Sequence, residues 1–346
     1  MSAIRVVVVD DSALCRAALR EILERDGDIE VVGEAADGAE ARERVARLRP
    51  QLATVDVEMP GTDGLTAIGR IMAETPLPIL VVTGRPAEER SHTLFEAVRR
   101  GALDLCSKPS LNSPDEARAL RALVRRLAVV PVVRHLPTHS MRAAAVGGSW
   151  AGARRVRVIG IGASAGGPAA VAEVLSGLPR EMPACVAVVQ HLLVGFARPF
   201  GEFLRRNCRL DVQLVERDVA WRPGTVFVAP DDRHLVAETN DRFALVDTPP
   251  DGGHRPSVDA LFRSLAAIHG RAALGVVLSG MGDDGTRGLA AMVRAGGLTL
   301  AQSEDGCAVY GMPRAAIEAG AASRAVRVGE IAGVLDRATR GELIGP

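Results

Sequence analysis

Two doubly wound α/β units in tandem are the fold this sequence predicts. Three observations carry that expectation. Short β-branched runs alternate with helical patterns over residues 1–127, the alternation dissolves over 128–155, and it resumes over 156–346. A chain of 346 residues is also long for one ordinary core. We therefore expect one domain at 1–127, a linker at 128–155 and a second domain at 156–346.

In the first domain the candidate strands are 4–10, 29–35, 52–56, 78–83 and 103–107, each followed by a helical pattern. Such alternation predicts a parallel sheet of flavodoxin-like (βα)5 type. The linker mixes proline and small residues without periodicity. Between residues 117 and 172 stand nine arginines and no acid, but the only aromatic interleaved with them is Trp150. A solvated linker fits this better than a nucleic-acid patch. In the second domain the expected strands are 156–162, 185–191, 212–216, 225–230, 234–238, 243–247, 275–280 and 298–302. Helices are expected at 168–177, 197–206, 257–269, 284–295, 312–319 and 328–338. The runs 225–230, 234–238 and 243–247 leave no room for helices between them, which predicts an antiparallel hairpin pair beside a mainly parallel sheet.

Composition narrows the class. Apolar residues make up 47% and aromatics 3%, so the cores are expected to be aliphatic. A formal net charge of zero offers no global attraction to nucleic acid or a membrane surface. Five scattered cysteines (Cys15, Cys106, Cys185, Cys208, Cys307) without a C-x-x-C pair argue against a disulfide framework or a zinc site. The opening MSAIRVVVVDD is too short an apolar run, and too soon acidic, for a signal peptide. A soluble cytoplasmic protein is expected, with no nucleic-acid partner and no membrane insertion.

Functional groups in a parallel sheet collect beyond the carboxyl ends of its strands. Asp10 and Asp11 end the first strand, Asp56 the third and Thr83 the fourth, and Lys108 follows the fifth. One strand-end aspartate is commonly a helix cap; five matched positions point to a site. Three carboxylates repel unless a cation joins them, and hard oxygen ligands suit Mg²⁺. A carboxylate beside such an ion can accept a phosphoryl group, with Lys108 neutralising charge and Thr83 donating a hydrogen bond. Here the sequence resembles the receiver domain of two-component response regulators, on Asp10-Asp11, Asp56 within VDVEMPGTDGL, Thr83 and Lys108-Pro109. The resemblance implies phosphorylation of Asp56 by a histidine kinase and Mg²⁺ held by Asp10, Asp11, Asp56 and the backbone carbonyl of Glu58. It further implies a switch through Thr83 and Lys108, and a cis Lys108–Pro109 bond. Gly61 and Gly84 depart from commoner receiver residues.

The second domain opens on VRVIGIGASAGGP, residues 156–168, which carries both the start of a dinucleotide loop and a G-x-S-x-G nucleophile turn. A dinucleotide site needs an acid at the end of the next strand, and there stand Gln190 and His191. If 156–162 and 185–191 are neighbours, Ser164 and His191 lie beyond adjacent strand ends. A third strand, 275–280, delivers SGMGDDG past its own end. One of its aspartates can orient the imidazole, and Met281 or a neighbour can offer an amide to an oxyanion. The α/β-hydrolase order of serine, acid, histidine fits poorly, because no histidine follows Asp284; it would need His234, His254 or His269 with an earlier acid. A binding module has no need of serine, histidine and aspartate together.

These residues resemble the chemotaxis protein-glutamate methylesterase (CheB) family, on IGASAGGP, VVQH, HRPSVD (254–259), SGMGDDG and AQSEDGCAVYGMP (301–313). The resemblance implies Ser164 as nucleophile, His191 as base and, of the two aspartates, Asp284 as the orienting acid. It implies hydrolysis of glutamate methyl esters on methyl-accepting chemoreceptors, with deamidation of receptor glutamines, and no cofactor for the esterase reaction. It also implies a receiver that covers the catalytic edge until phosphorylated, and a monomer is expected. Ala165 stands where the family usually has threonine, from which tuned activity rather than loss is expected.

Overall fold

The computed structural model describes residues 3–59, 64–84, 91–110, 113–130, 132 and 155–342. Gly61, Trp150 and nearly all of the expected linker lie outside them. The chain divides into two compact units, Met1–Leu136 and Pro137–Pro346.

The first unit contains β1 (Ile4–Val9), α1 (Ala13–Glu24), β2 (Ile29–Ala35), α2 (Gly38–Leu48), β3 (Leu52–Val55) and α3 (Gly64–Glu74). It continues through β4 (Ile79–Thr83), α4 (Ser91–Arg99), β5 (Asp104–Ser107) and α5 (Pro114–Leu127). Its five strands form a parallel sheet in the order β2-β1-β3-β4-β5. β3 and β4 are buried along their whole length, as expected where helices cover both faces of a sheet. Helix starts follow local chemistry: Ser12, Asp37 and Ser113 each accept a backbone N–H as N-cap. Val9 pairs with Val55, so Asp10 and Asp56 emerge side by side from β1 and β3, where the strand order switches from one side of β1 to the other.

The second unit runs β6 (Val158–Ala163), α6 (Gly167–Ser176), β7 (Cys185–Gln190), α7 (Ala197–Asn207), β8 (Asp211–Leu214), β9 (Val219–Ala220) and β10 (Thr225–Val228). There follow β11 (His234–Thr239), β12 (Arg242–Val246), α8 (Val258–His269), β13 (Ala273–Val277), α9 (Thr286–Arg294), β14 (Leu298–Gln302), α10 (Met312–Glu318), β15 (Arg324–Val326) and α11 (Val328–Arg340). Seven strands form a parallel sheet in the order β15-β14-β13-β6-β7-β10-β8. β11, β12 and β9 form a small antiparallel sheet.

Three details of the strands differ from the sequence expectation. The run 225–230 is no hairpin arm: β10 lies between β7 and β8 in the main sheet. Its four residues are all buried, as suits a strand covered on both faces. The antiparallel sheet takes instead the two-residue β9 as third strand, too short for a periodicity to reveal. β15, three residues long, was likewise not anticipated. The cores are mainly aliphatic, yet all seven phenylalanines are buried, with Phe227 and Phe243 5.3 Å apart. The cis peptide bond among the described residues joins Arg255 to Pro256, so the cis bond expected at Lys108–Pro109 is not found. No helix among the described residues is long and apolar enough to cross a membrane.

Candidate active site

β6 lies between β13 and β7, and register does the rest. Ala163 pairs with Gln190, so Ser164 and His191 are the next residues beyond two adjacent strand ends. The His191 amide donates to Ala163 O at 2.9 Å, and the Ser164 amide donates to Ser279 O at 3.0 Å. The neighbourhood predicted for serine and histidine is thus present. No hydrogen bond joins the Ser164 hydroxyl to the imidazole: His191 Nδ1 is buried and without a partner. Such contacts commonly tighten only when substrate is bound.

The two aspartates of SGMGDDG separate cleanly. Asp283 is exposed and Asp284 is buried. Asp284 Oδ2 lies 2.9 Å from His191 Nε2, which assigns that ring proton to Nε2 and leaves Nδ1 free to accept. Asp284 is held from the other side by the start of α8. Oδ2 accepts from the Val258 amide (2.8 Å), and Oδ1 accepts from the Asp259 amide (2.9 Å) and the Ser257 hydroxyl (3.0 Å). Burial by itself would raise the Asp284 pKa. The hydrogen bond and charge of His191, with the two amides, outweigh it and bring the carboxyl down to about 2.

The HRPSVD stretch therefore acts through a helix N-terminus, whose partial positive charge favours the carboxylate. Ser257 is its N-cap. His234, 1% exposed, accepts the Ser257 amide at Nδ1 (3.1 Å) and faces Pro249 O with Nε2 (3.2 Å). The His254 ring stacks on His191, centroids 3.9 Å apart and planes within 4°. His269 stands at the far end of α8 against Trp221. Sequence reasoning assigned no role to Ser257, His234 or the His254 stack. The one available signal was the serine starting the expected helix 257–269.

Two glycines of the opening motif are set by packing. A Cβ at Gly162 would fall 2.1 Å from Val258 Cγ1, and one at Gly160 would meet Leu265 and Phe262 within 2.8 Å. Both are small so that α8 can lie against β6. Beyond β13, Gln302 Oε1 holds the Ser279 amide (2.9 Å), and Ser279 Oγ donates to Ala165 O (2.8 Å). Met312 and Gly311 amides both donate to Gly280 O. These contacts use the AQSEDGCAVYGMP stretch to brace the turn at Met281, whose own amide makes no hydrogen bond among the described residues. Ala165 is buried at 5% exposure beside Ser164.

In the first unit the carboxylates of Asp10, Asp11 and Asp56 approach within 4.8 Å of one another. Lys108 Nζ lies 2.6 Å from Asp56 Oδ2 and 2.5 Å from Asp10 Oδ2. Burial raises the Asp10 pKa against the pull of Lys108. For Lys108, burial works against the charge, but the bonds to Asp10 and Asp56 prevail and raise its pKa. Asp56 Oδ1 accepts the Glu58 amide (2.9 Å), which sets Glu58 beside the cluster. Thr83 is buried, and its carbonyl accepts the Lys108 amide (2.7 Å). A Cβ at Gly84 would stand 3.3 Å from Lys108 Cδ, so that departure leaves room along the lysine stem. Three carboxylates against one ammonium leave excess negative charge in an all-oxygen donor set, which fits a hard divalent cation.

Comparison with known proteins agrees with both halves. Residues 159–335 match the CheB methylesterase family and residues 6–120 the response regulator receiver domain. A protein-glutamate methylesterase/protein-glutamine glutaminase of Anaeromyxobacter dehalogenans is 45% identical over 339 residues, covering 97% of each chain. A protein of the same description from Salmonella typhimurium is 38% identical over 338 residues, covering 96% of this chain and 95% of that one. The crystal structure of the Thermotoga maritima CheB methylesterase catalytic domain is similar, with TM-score 0.51 and 32% identity. It is covered to 99% by 53% of this chain.

Proposed function

The chain belongs to the CheB methylesterase family, with a receiver domain preceding the catalytic one, and on that premise we propose that Ser164, His191 and Asp284 hydrolyse glutamate γ-methyl esters of chemoreceptors. Ser164 Oγ attacks the side-chain carbonyl carbon while its proton passes to His191 Nδ1, and the carbonyl electron pair moves onto oxygen. Asp284, ionised, stabilises the imidazolium through Nε2–H. The Met281 amide donates to the oxyanion. As the tetrahedral intermediate collapses, the C–OCH₃ bond breaks and methoxide takes the proton from His191, leaving as methanol. Water then gives its proton to the same nitrogen as its oxygen adds to the acyl carbonyl. As the acyl C–Oγ bond breaks, His191 returns that proton to Ser164 Oγ, releasing glutamate and the free serine. On a glutamine side chain the same steps expel ammonia.

The observation that carries this reading is the His191–Asp284 pair, with the free Nδ1 beside the strand end that bears Ser164. Methanol release from methylated receptors of the same organism tests it. Ser164→Ala is expected to lower the rate by about 10⁴-fold or more; retention of activity overturns the assignment.

We further infer that Asp56 is the phosphorylation site of a receiver domain over residues 1–127, with a histidine kinase as phosphodonor. Residues 128–155 serve as the linker to a catalytic domain over 156–346. Asp10, Asp11, Asp56 and the Glu58 carbonyl would hold Mg²⁺, which neutralises charge on the incoming phosphoryl group. Lys108 and Thr83 are placed in this reading as the groups that respond to that phosphoryl group.

A further inference from the structure

VVQH contributes more than its histidine. Gln190, the residue before the base, is buried, and its amide nitrogen donates to two carbonyls, Ser164 O at 2.7 Å and His191 O at 3.1 Å. One side chain therefore ties the backbone of the proposed nucleophile to that of the proposed base, and both of its N–H bonds are spent doing so. The opposite assignment of the amide would set Oε1 against two carbonyl oxygens, so the orientation is decided by its partners. Oε1 is left buried with no hydrogen bond, an uncommon state for a polar atom in a folded core. It lies where a Cβ on Gly167 would come within 2.3 Å, so only glycine at 167 admits it.

The clamp has a directional consequence. The Ser164 carbonyl is pinned twice, by Gln190 and by the Gly167 amide at 2.8 Å. Because a peptide unit is planar and trans, the Ala165 N–H points opposite to that carbonyl. The Ala165 amide has no hydrogen-bond partner among the described residues, and the Met281 amide across the turn has none either. We propose that Gln190 is a positioning residue that aims the Ala165 amide, with that of Met281, at the oxyanion formed when Ser164 attacks. The amide following the nucleophile serves this purpose in other serine hydrolases with a strained turn. This rests on Ser164 being the nucleophile.

The test uses the full-length chain carrying Gln190→Met, which keeps volume and removes both donors. A second variant, Gly167→Ala, displaces the Gln190 amide without deleting it. Each is assayed for methanol release from methylated receptor, for inhibition by an alkyl boronic acid that forms a tetrahedral adduct, and for inhibition by demethylated receptor. Loss of one oriented oxyanion donor is expected to lower kcat by about 10²-fold and weaken the boronate by a similar factor. KM and product inhibition should change by less than about threefold, since neither depends on a tetrahedral centre. Undiminished kcat in either folded variant overturns the proposal, as do equal losses in kcat, KM and product affinity, which a merely structural role would give. Should Gln190→Met fail to fold, Gly167→Ala decides alone. Full activity in Ser164→Ala would instead overturn the serine reading itself.

Discussion

Asp284 carries a structural role beside the chemical one proposed for it. Its pKa lies at about 2 against an ordinary value of 3.8, so the folded state favours the charged form. A folded pKa below the unfolded one adds stability that is fully present above the unfolded value and is lost as pH falls through the folded one. A depression of that size is worth about 2 kcal/mol. The stability difference between wild type and Asp284→Asn, followed by denaturant unfolding, should therefore shrink by about 2 kcal/mol as pH falls from about 5 to 2. The same substitution should lower kcat by about 10³–10⁴-fold at neutral pH, because an amide does not stabilise an imidazolium. Residue reasoning alone left Asp283 and Asp284 open. Their neighbours in sequence are nearly identical, and only burial against α8 distinguishes them.

The start of α8 is the element on which the site depends. Its first turn supplies Asp284 with two amides and a serine hydroxyl, and its packing on β6 needs the missing side chains at Gly160 and Gly162. His234 holds the turn from behind. Replacing it with phenylalanine would leave the Ser257 N–H and the Pro249 carbonyl buried without partners, at a cost of about 1–3 kcal/mol. Thermal melts of His234→Phe should show that loss, and His234→Asn, which keeps an acceptor, should recover part of it. Gly162→Ala drives a methyl into Val258 and should cost about 1–3 kcal/mol by overpacking, with kcat falling as the helix end shifts from Asp284. Periodicity made this helix legible from the sequence, including its start near Ser257. Its role was not legible, because nothing local to 254–259 tells which distant carboxylate it will meet.

The whole molecule joins a phosphoryl-accepting unit to a hydrolytic one in a single chain, and their chemistries make separable demands. In the proposed reading the oxygen-only cluster at Asp10, Asp11 and Asp56 holds a divalent ion, whereas the serine, histidine and aspartate set uses none. With acetyl phosphate as donor, methanol release by the wild type should rise, and Asp56→Ala should lose the rise. Chelation with EDTA should abolish the rise in the wild type while leaving its basal hydrolysis in place. Basal hydrolysis that disappears with EDTA would overturn the division of labour between the two units.

By itself the sequence determined the two α/β units, the strand ends that carry acids and the serine, and the pairing of Ser164 with His191 as neighbours. Each follows from a local period or from a residue's place at the end of a run, and local patterns are what a chain displays. Tertiary structure alone decided that β10 belongs to the main sheet and that α8 points its N-terminus at Asp284. It also decided that Gln190 ties the Ser164 carbonyl to that of His191. The bonds of Asp284 with Val258 and of Gln190 with Ser164 each join residues 26 positions apart. They arise when buried faces close on one another, at glycines whose missing Cβ atoms let the backbones approach.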